Sequence, residues 1–184
     1  VTVLPVLDLP TLQVPTIPIF AEDTPLVFAD ILGQQLSVAD VDGKLLDIRL
    51  TAPIGTFTLT QSTDVAILAN ANGTLHLQGT PTDINAALAA LVYTPGADYN
   101  GRLNIAVQLG QLTDALGSQL NLSSLVTATL PLTIAPVADI VDDNVQTKLD
   151  APIAFNVLAN DTFENAGRFV SALGQPQHGS VTFD

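Results

Sequence analysis

Large apolar residues alternate with polar or small ones in four short stretches: LDIRL (46–50), TFTLT (56–60), TLHLQ (74–78) and NIAVQL (104–109). A period of two places every second side chain on one face of an extended chain, so each stretch reads as a half-buried antiparallel strand. Further apolar, β-branched runs lie at LVFADI (26–31), QLSVAD (35–40), VAILA (65–69), ALVYTP (90–95) and LVTATLPLTI (125–134). Turn-forming residues separate them at DVDG (40–43), NANG (70–73), PGADYNG (95–101) and DALGS (114–118). Many short strands at even spacing imply an all-β fold, and a β-sandwich in particular.

One stretch departs from this rhythm. GTPTDINAALAAL (79–91) offers Thr80 or Thr82 as N-cap and Pro81 or Asp83 for a first turn. Ile84, Leu88 and Leu91 follow at helical spacing. The sequence predicts one short helix of two to three turns bridging two sheets. At the start of the chain, prolines 5, 10, 15 and 18 keep residues 3–20 extended, a linker that feeds an edge strand.

The chain repeats itself. TVLPVLD (2–8) returns as TIAPVAD (133–139), and APIGTFTL (52–59) is echoed by QPQHGSVTF (175–183). Two landmarks that recur in order give a period of one whole domain. The expected organisation is the end of a preceding repeat with its linker (1–8), a complete domain (9–135), a joint (136–144) and the first part of a second β-sandwich repeat (145–184). Strands of such a partial sandwich would need another surface to cover their inner face.

Composition narrows the function classes. Eighteen acidic and five basic residues give a formal net charge of −13, which repels nucleic acid and anionic membranes and attracts cations. Cysteine is absent, so neither disulfides nor thiolate chemistry contribute. No apolar run is long enough for a membrane span, so no direct membrane insertion is expected. The sequence contains no G-x-S-x-G elbow and no P-loop, and the reading is of a protein that is not an enzyme. His76 lies opposite Leu75 and Leu77 and is expected to face solvent. His178 falls in a turn. Tyr93 is expected in the core, and Tyr99 in DYNG looks like the tyrosine corner of sandwich folds, a structural hydrogen bond.

Taken in order, PVLDLP (5–10), AEDTPLVF (21–28), LSVADVDG (36–43), DINAALAALVYTPGADYNG (83–101) and PVAD (136–139) resemble the cadherin-like, Ig-like tandem repeats of giant bacterial RTX-type adhesins. VLANDT (157–162) resembles the start of a related repeat. The resemblance implies a Greek-key β-sandwich with one short helix. It also implies calcium-rigidified modules of a cell-surface or biofilm adhesin, exported by type I secretion to the extracellular side of a bacterium. Their partners would be neighbouring repeats of the same chain, with any host or matrix ligand reached through other domains. The alternatives are a module that itself binds carbohydrate or protein, or an accessory domain of a secreted enzyme.

Calcium takes six to eight oxygen ligands, mostly carboxylates and carbonyls. Asp40-Val41-Asp42-Gly43 supplies two carboxylates on one turn, although D-x-D-G is also an ordinary hairpin turn. Asp114 lies where cadherin-like domains place another ligand, and Asp8 lies in the joint before the domain. These four would converge at one pole. A second set at the other pole comprises Glu22 or Asp23, Asp139 in the joint, Asp142 and Asp143 after it, and Asp161 with Asn165 from the next unit. Asp98 is a further candidate. Phe163-Glu164-Asn165 stands where the related repeats carry an acidic run, which weakens the second set.

Overall fold

Alternation along residues 46–50, 74–78 and 104–109 becomes three adjacent strands whose Leu, Ile and Val side chains enter one core. The computed structural model describes residues 8–60, 64–112, 120–137, 139–163 and 167–182, with the backbone alone for 120–124. The chain divides into two compact units, Val1–Val137 and Ala138–Asp184.

Unit 1 is built mostly of strands, with one α-helix. In chain order the strands are β1 (Thr11–Gln13), β2 (Phe20–Ala21), β3 (Leu26–Val27), β4 (Ser37–Ala39), β5 (Leu46–Thr51), β6 (Thr56–Leu59), β7 (Ala66–Ala71), β8 (Thr74–Gly79), β9 (Leu91–Thr94), β10 (Gly101–Leu112) and β11 (Leu120–Ala135). Six form one sheet in the order β2-β11-β10-β5-β8-β7, three another in the order β3-β9-β6, and β1 pairs with β4. All pairings are antiparallel except β2 with β11, where Phe20 and Ala21 lie parallel to Ile134 and Ala135.

Local chemistry explains the connections. β7 and β8 are joined by Asn72-Gly73, both with positive φ (51° and 70°). This two-residue turn matches the right-handed twist of the flanking strands. A Cβ on Gly73 would come within 2.5 Å of the Ala52 carbonyl oxygen, and the Ala52 N–H donates to the Gly73 carbonyl at 2.8 Å.

The helix α1 (Pro81–Ala89) begins at Thr80, whose hydroxyl accepts from the Asp83 N–H at 3.2 Å and donates to the Asp83 carboxylate at 2.6 Å. Ile84, Ala87 and Leu88 are buried, whereas Leu91 has left the helix and opens β9. The helix thus carries the chain from the six-stranded sheet to the three-stranded one. The run LVFADI is shorter as a strand than its composition suggests. It stops at Val27 and turns into a 3₁₀ segment, Phe28–Asp30, which drives Phe28 fully into the core.

A single apolar cluster unites both large sheets and the helix. Ile48, Leu50, Leu75, Leu77, Ile105 and Leu109 enter from the six-stranded sheet, Leu91 and Tyr93 from β9, and Ile84 and Leu88 from α1. Each fully buried side chain of this size contributes about 1.5–3 kcal/mol. Tyr93 is completely buried, meets Phe57 with ring centres 5.5 Å apart, and donates its hydroxyl to the Ile54 carbonyl at 2.7 Å. Burial, with a smaller contribution from Tyr99, raises its pKa to about 12.

Unit 2 differs in kind. Its described residues contain turns but neither strand nor helix, and none of them is buried. The strands expected after residue 145 are not present among the described residues. An alternating stretch such as Ile153, Phe155 and Val157 forms a strand only with a hydrogen-bonded neighbour and a second layer over its apolar face. All three side chains are exposed instead. What order the unit has comes from local bonds. The Asp161 carboxylate accepts from the Val141 N–H at 2.8 Å, Asn160 Nδ2 donates to the Val141 carbonyl at 3.1 Å, and the Thr162 N–H donates to the Asp139 carbonyl at 3.1 Å.

Candidate functional site

The longest fully described strand, β10, has a polar cluster at each end. Eleven residue steps separate Asn100 from Gln111, roughly 35 Å at strand rise.

At the Gln111 end, the turn after β4 brings Asp40 and Asp42 beside Asp8, the first described residue of unit 1. The Asp42 carboxylate accepts from the Asp8 N–H at 2.9 Å. Asp40 Oδ1 accepts from the Lys44 N–H at 3.0 Å, which closes the DVDG turn. Gln111 Nε2 donates to the Asp8 carbonyl at 2.6 Å and also contacts Asp40 Oδ2. Asp8, Asp40 and Asp42 are therefore brought together, with Asp8 contributing its main chain to the bonds. Asp114 and the DALGS turn lie outside the described residues.

Gln111 is fully buried. Leu103, Ile105, Val107 and Leu109 face the core at every second position of β10, and Gln111 continues that phase. Opposite it the pairing shifts between Leu109 and Gln111, from Leu109–Val126 to Gln111–Asn121. A bulge re-aims side chains at the rim of a sheet, and here it accompanies an amide on the inward face. Sequence reading missed Gln111 because the alternating run was ended at Leu109. Extending the period by one step would have placed a glutamine in a leucine's position.

At the Asn100 end, Glu22 is 2% exposed. Its own N–H continues the β2–β11 pairing to the Ala135 carbonyl at 3.0 Å, and one carboxylate oxygen accepts from Asn100 Nδ2 at 3.0 Å. The other accepts from the Val137 N–H. Asp23 is exposed, and its Oδ1 accepts from the Asp98 N–H at 3.1 Å. Asp23 and Asp98 both have positive φ, 55° and 56°, a conformation that Asp tolerates better than most residues. Glu22, Asp23 and Asp98 thus belong to one cluster, with Asn100 as a member that sequence reading did not single out.

The rest of the expected second set belongs to unit 2. The Asp139 main-chain carbonyl accepts from Thr162, the residue after Asp161, and the Asp161 carboxylate accepts from Val141. Asp142, Asp143 and Asp161 line an open cavity of about 560 Å³ together with Val157 and Phe169. Arg168 lies 5.7 Å from the ring centre of Phe163. Asn165 is outside the described residues.

The donors are of the type that hard divalent cations take, carboxylate and carbonyl oxygens. Their number within one reach is small. Among the described residues, no three carboxylate or imidazole groups gather closely enough to hold a metal ion. At the Gln111 end, the Asp40 and Asp42 carboxylates and the Asp8 carbonyl would hold such an ion. At both ends these oxygens already accept from N–H donors: Asp40 from Lys44 and Gln111, Asp42 from Asp8, the Asp8 carbonyl from Gln111, and Glu22 from Asn100 and Val137.

His76 corrects an expectation. It lies opposite Leu75 and Leu77 but does not face open solvent. Its side chain is 24% exposed, and Nε2 contacts both oxygens of Asp47 at 2.9 and 2.8 Å. Gln78 Nε2 donates to the same carboxylate at 2.6 Å. Strand pairing sets Asp47 opposite Gln78 and Arg49 opposite His76, which brings the imidazole to Asp47 along the diagonal. A carboxylate with these donors is a satisfied buried group. Tyr99 also differs from the tyrosine corner. Its hydroxyl donates to the Arg102 carbonyl at 3.1 Å, three residues downstream, whereas the corner bond runs upstream.

Among the described residues no helix is long and apolar enough to cross a membrane. Compared with known proteins, the chain matches no family model, no curated protein and no solved structure.

Proposed function

We propose that unit 1 is a calcium-binding structural spacer, one module of a tandem array that projects the distal binding domain of a bacterial surface or biofilm adhesin. The observation that carries this reading is the pairing of oxygen-rich clusters with the two ends of one long strand. Asp40 and Asp42 meet the Asp8 main chain at one end, and at the other Glu22 accepts from Asn100 while its neighbour Asp23 accepts from the Asp98 N–H. Two carboxylates 4 Å apart repel by about 4 kcal/mol at an effective dielectric near 20, and a divalent cation between them reverses the sign. In a chain of net charge −13 this reversal would stiffen the module's ends.

The finer fold assignment, a Greek-key β-sandwich of the cadherin and Ig type, is part of the same proposal. Its support is the crossing connectivity, with β10 between β11 and β5, and the parallel pairing of β2 with the last strand. Extracellular location and type I export follow from the adhesin reading. No reaction is assigned. The partners would be adjoining repeats of the same chain.

Thermal melting in calcium and then in chelator tests the proposal. A site that binds only the folded state adds about 2.7 kcal/mol at a hundred times its Kd, which raises the midpoint of unit 1 by several degrees. An unchanged midpoint would reduce the acidic loops to plain turns and remove the calcium reading.

A further inference from the structure

Three buried polar or charged residues stand out among those described: Glu22, Asp47 and Gln111. Asp47 is bound by its own sheet neighbours, His76 and Gln78. The other two reach main chain beyond their own strands. Gln111 Nε2 donates to the Asp8 carbonyl, and the Glu22 carboxylate accepts from the Val137 N–H.

Such placements are costly unless the hydrogen bonds are made. Gln111 continues the core-facing phase that Leu103, Ile105, Val107 and Leu109 fill with apolar side chains. What distinguishes glutamine there is the amide, and the amide is spent on the Asp8 carbonyl and on Asp40. With Asp42 taking the Asp8 N–H at 2.9 Å, both backbone polar groups of Asp8 are fixed.

Glu22 acts in the same way at the opposite end. Its N–H takes the Ala135 carbonyl, so the parallel pairing of β2 and β11 runs to that point. Pro136 follows and has no N–H to continue it. The Glu22 carboxylate accepts from the next amide, Val137, and bridges the gap that the proline leaves.

We infer that Gln111 and Glu22 are positioning residues that fix the path of the main chain at Asp8, before the first strand of unit 1, and at Val137, where unit 1 ends. The two ends are clasped by the fold's own buried side chains, before any cation acts. This deepens the spacer reading and rests on it for its purpose: a module that transmits direction needs both ends set.

Amide hydrogen exchange on the full 184-residue chain tests the inference, with calcium and with chelator. In the unmodified protein the Asp8 and Val137 amides should be protected. If both exchange at the free-peptide rate, the inference is overturned. Gln111→Leu should speed exchange at Asp8 about tenfold while Val137, Ile48 and Val107 keep their rates. Glu22→Leu should do the same at Val137 alone, and Glu22→Gln, which keeps an acceptor oxygen, should restore protection. Unchanged Asp8 and Val137 rates in the two leucine variants, with the core amides intact, would overturn the assignment.

Should Gln111→Leu fail to fold, Gln111→Asn, whose side chain is one methylene shorter and withdraws the amide from the Asp8 carbonyl, replaces it. Faster exchange at Asp8 alone supports the clasp, and no change counts against it. The calcium arm separates the two ideas. Exchange that follows the variants but ignores calcium leaves the clasp standing without the calcium reading. A calcium response with variant-independent exchange does the reverse.

Discussion

Units 1 and 2 carry similar apolar side chains and treat them in opposite ways. In unit 1, Phe28, Leu50, Leu77 and Ile105 have no exposed surface. In unit 2, Leu149 is 93% and Phe169 78% exposed, and no described residue is buried. Alternation is present in both. The difference lies in partners: β5, β8 and β10 have neighbours to complete their hydrogen bonds and an opposing layer to cover their apolar face, whereas the edge strand β7 leaves Ile67 and Leu68 exposed. Periodicity states which face a strand would bury. It does not supply what the strand buries it against.

The sharpest way to break this contrast is a matched pair of truncations. Leu77→Ala in unit 1 removes a fully buried side chain and leaves a cavity, which costs about 2–5 kcal/mol. Phe169→Ala in unit 2 removes a larger side chain from an exposed position and should change stability by less than about 0.5 kcal/mol. Urea unfolding followed with one probe in each unit reads the two losses. Equal losses would mean that Phe169 is part of a core, and the contrast between the units would fail.

How much of this was legible in the sequence follows the same division. Strands β5, β6, β8 and β10 were visible because a buried face and a wet face impose a period of two. The helix was visible through Thr80, Pro81 and Asp83, whose capping chemistry is local. The break in LVFADI was not, because Phe28 turns inward to fill space that only the assembled core defines. The candidate carboxylates were legible as residue types in turns. Gln111 lies one step beyond the period-two run that ends at Leu109 and was legible in that phase, whereas Asn100 was not, since an amide in a turn stands out only once the groups it meets are in place. His76 was misread for a related reason. Its face was assigned correctly, but Asp47 lies 29 residues earlier in the chain and the strand register brings them together.

A second test sharpens the contrast through pH. The folded pKa of Tyr93 is raised to about 12, by burial first and by Tyr99 second, against about 10 when the chain is unfolded. Between these values the unfolded state has lost a proton that the folded state keeps. Stability of unit 1 should therefore be unaffected below pH 10 and then fall by about 1.4 kcal/mol per pH unit until ionisation of the folded form near pH 12. Unit 2 contains no tyrosine and should add nothing to this slope. Denaturant titrations at pH 9, 10, 11 and 12 measure it, with Tyr93→Phe as control. A slope that survives in Tyr93→Phe would show that another group carries the titration.

The smallest expected effect concerns the helix, an element absent from the described residues of unit 2. Thr80 caps α1, and α1 presents Asn85, whose side chain accepts from the Val38 N–H at 2.8 Å and donates to the Val38 carbonyl at 2.9 Å. The amide thereby serves β4 as a neighbouring strand would, so the cap acts at a distance on the β1–β4 pair. Thr80→Ala removes the acceptor for the Asp83 N–H and should cost about 1 kcal/mol. The loss should appear as faster amide exchange in α1 and at Val38, while exchange throughout unit 2 keeps its rate. A loss confined to the first turn of α1, with Val38 still protected, would detach the helix from the β1–β4 pair and leave the cap a local feature.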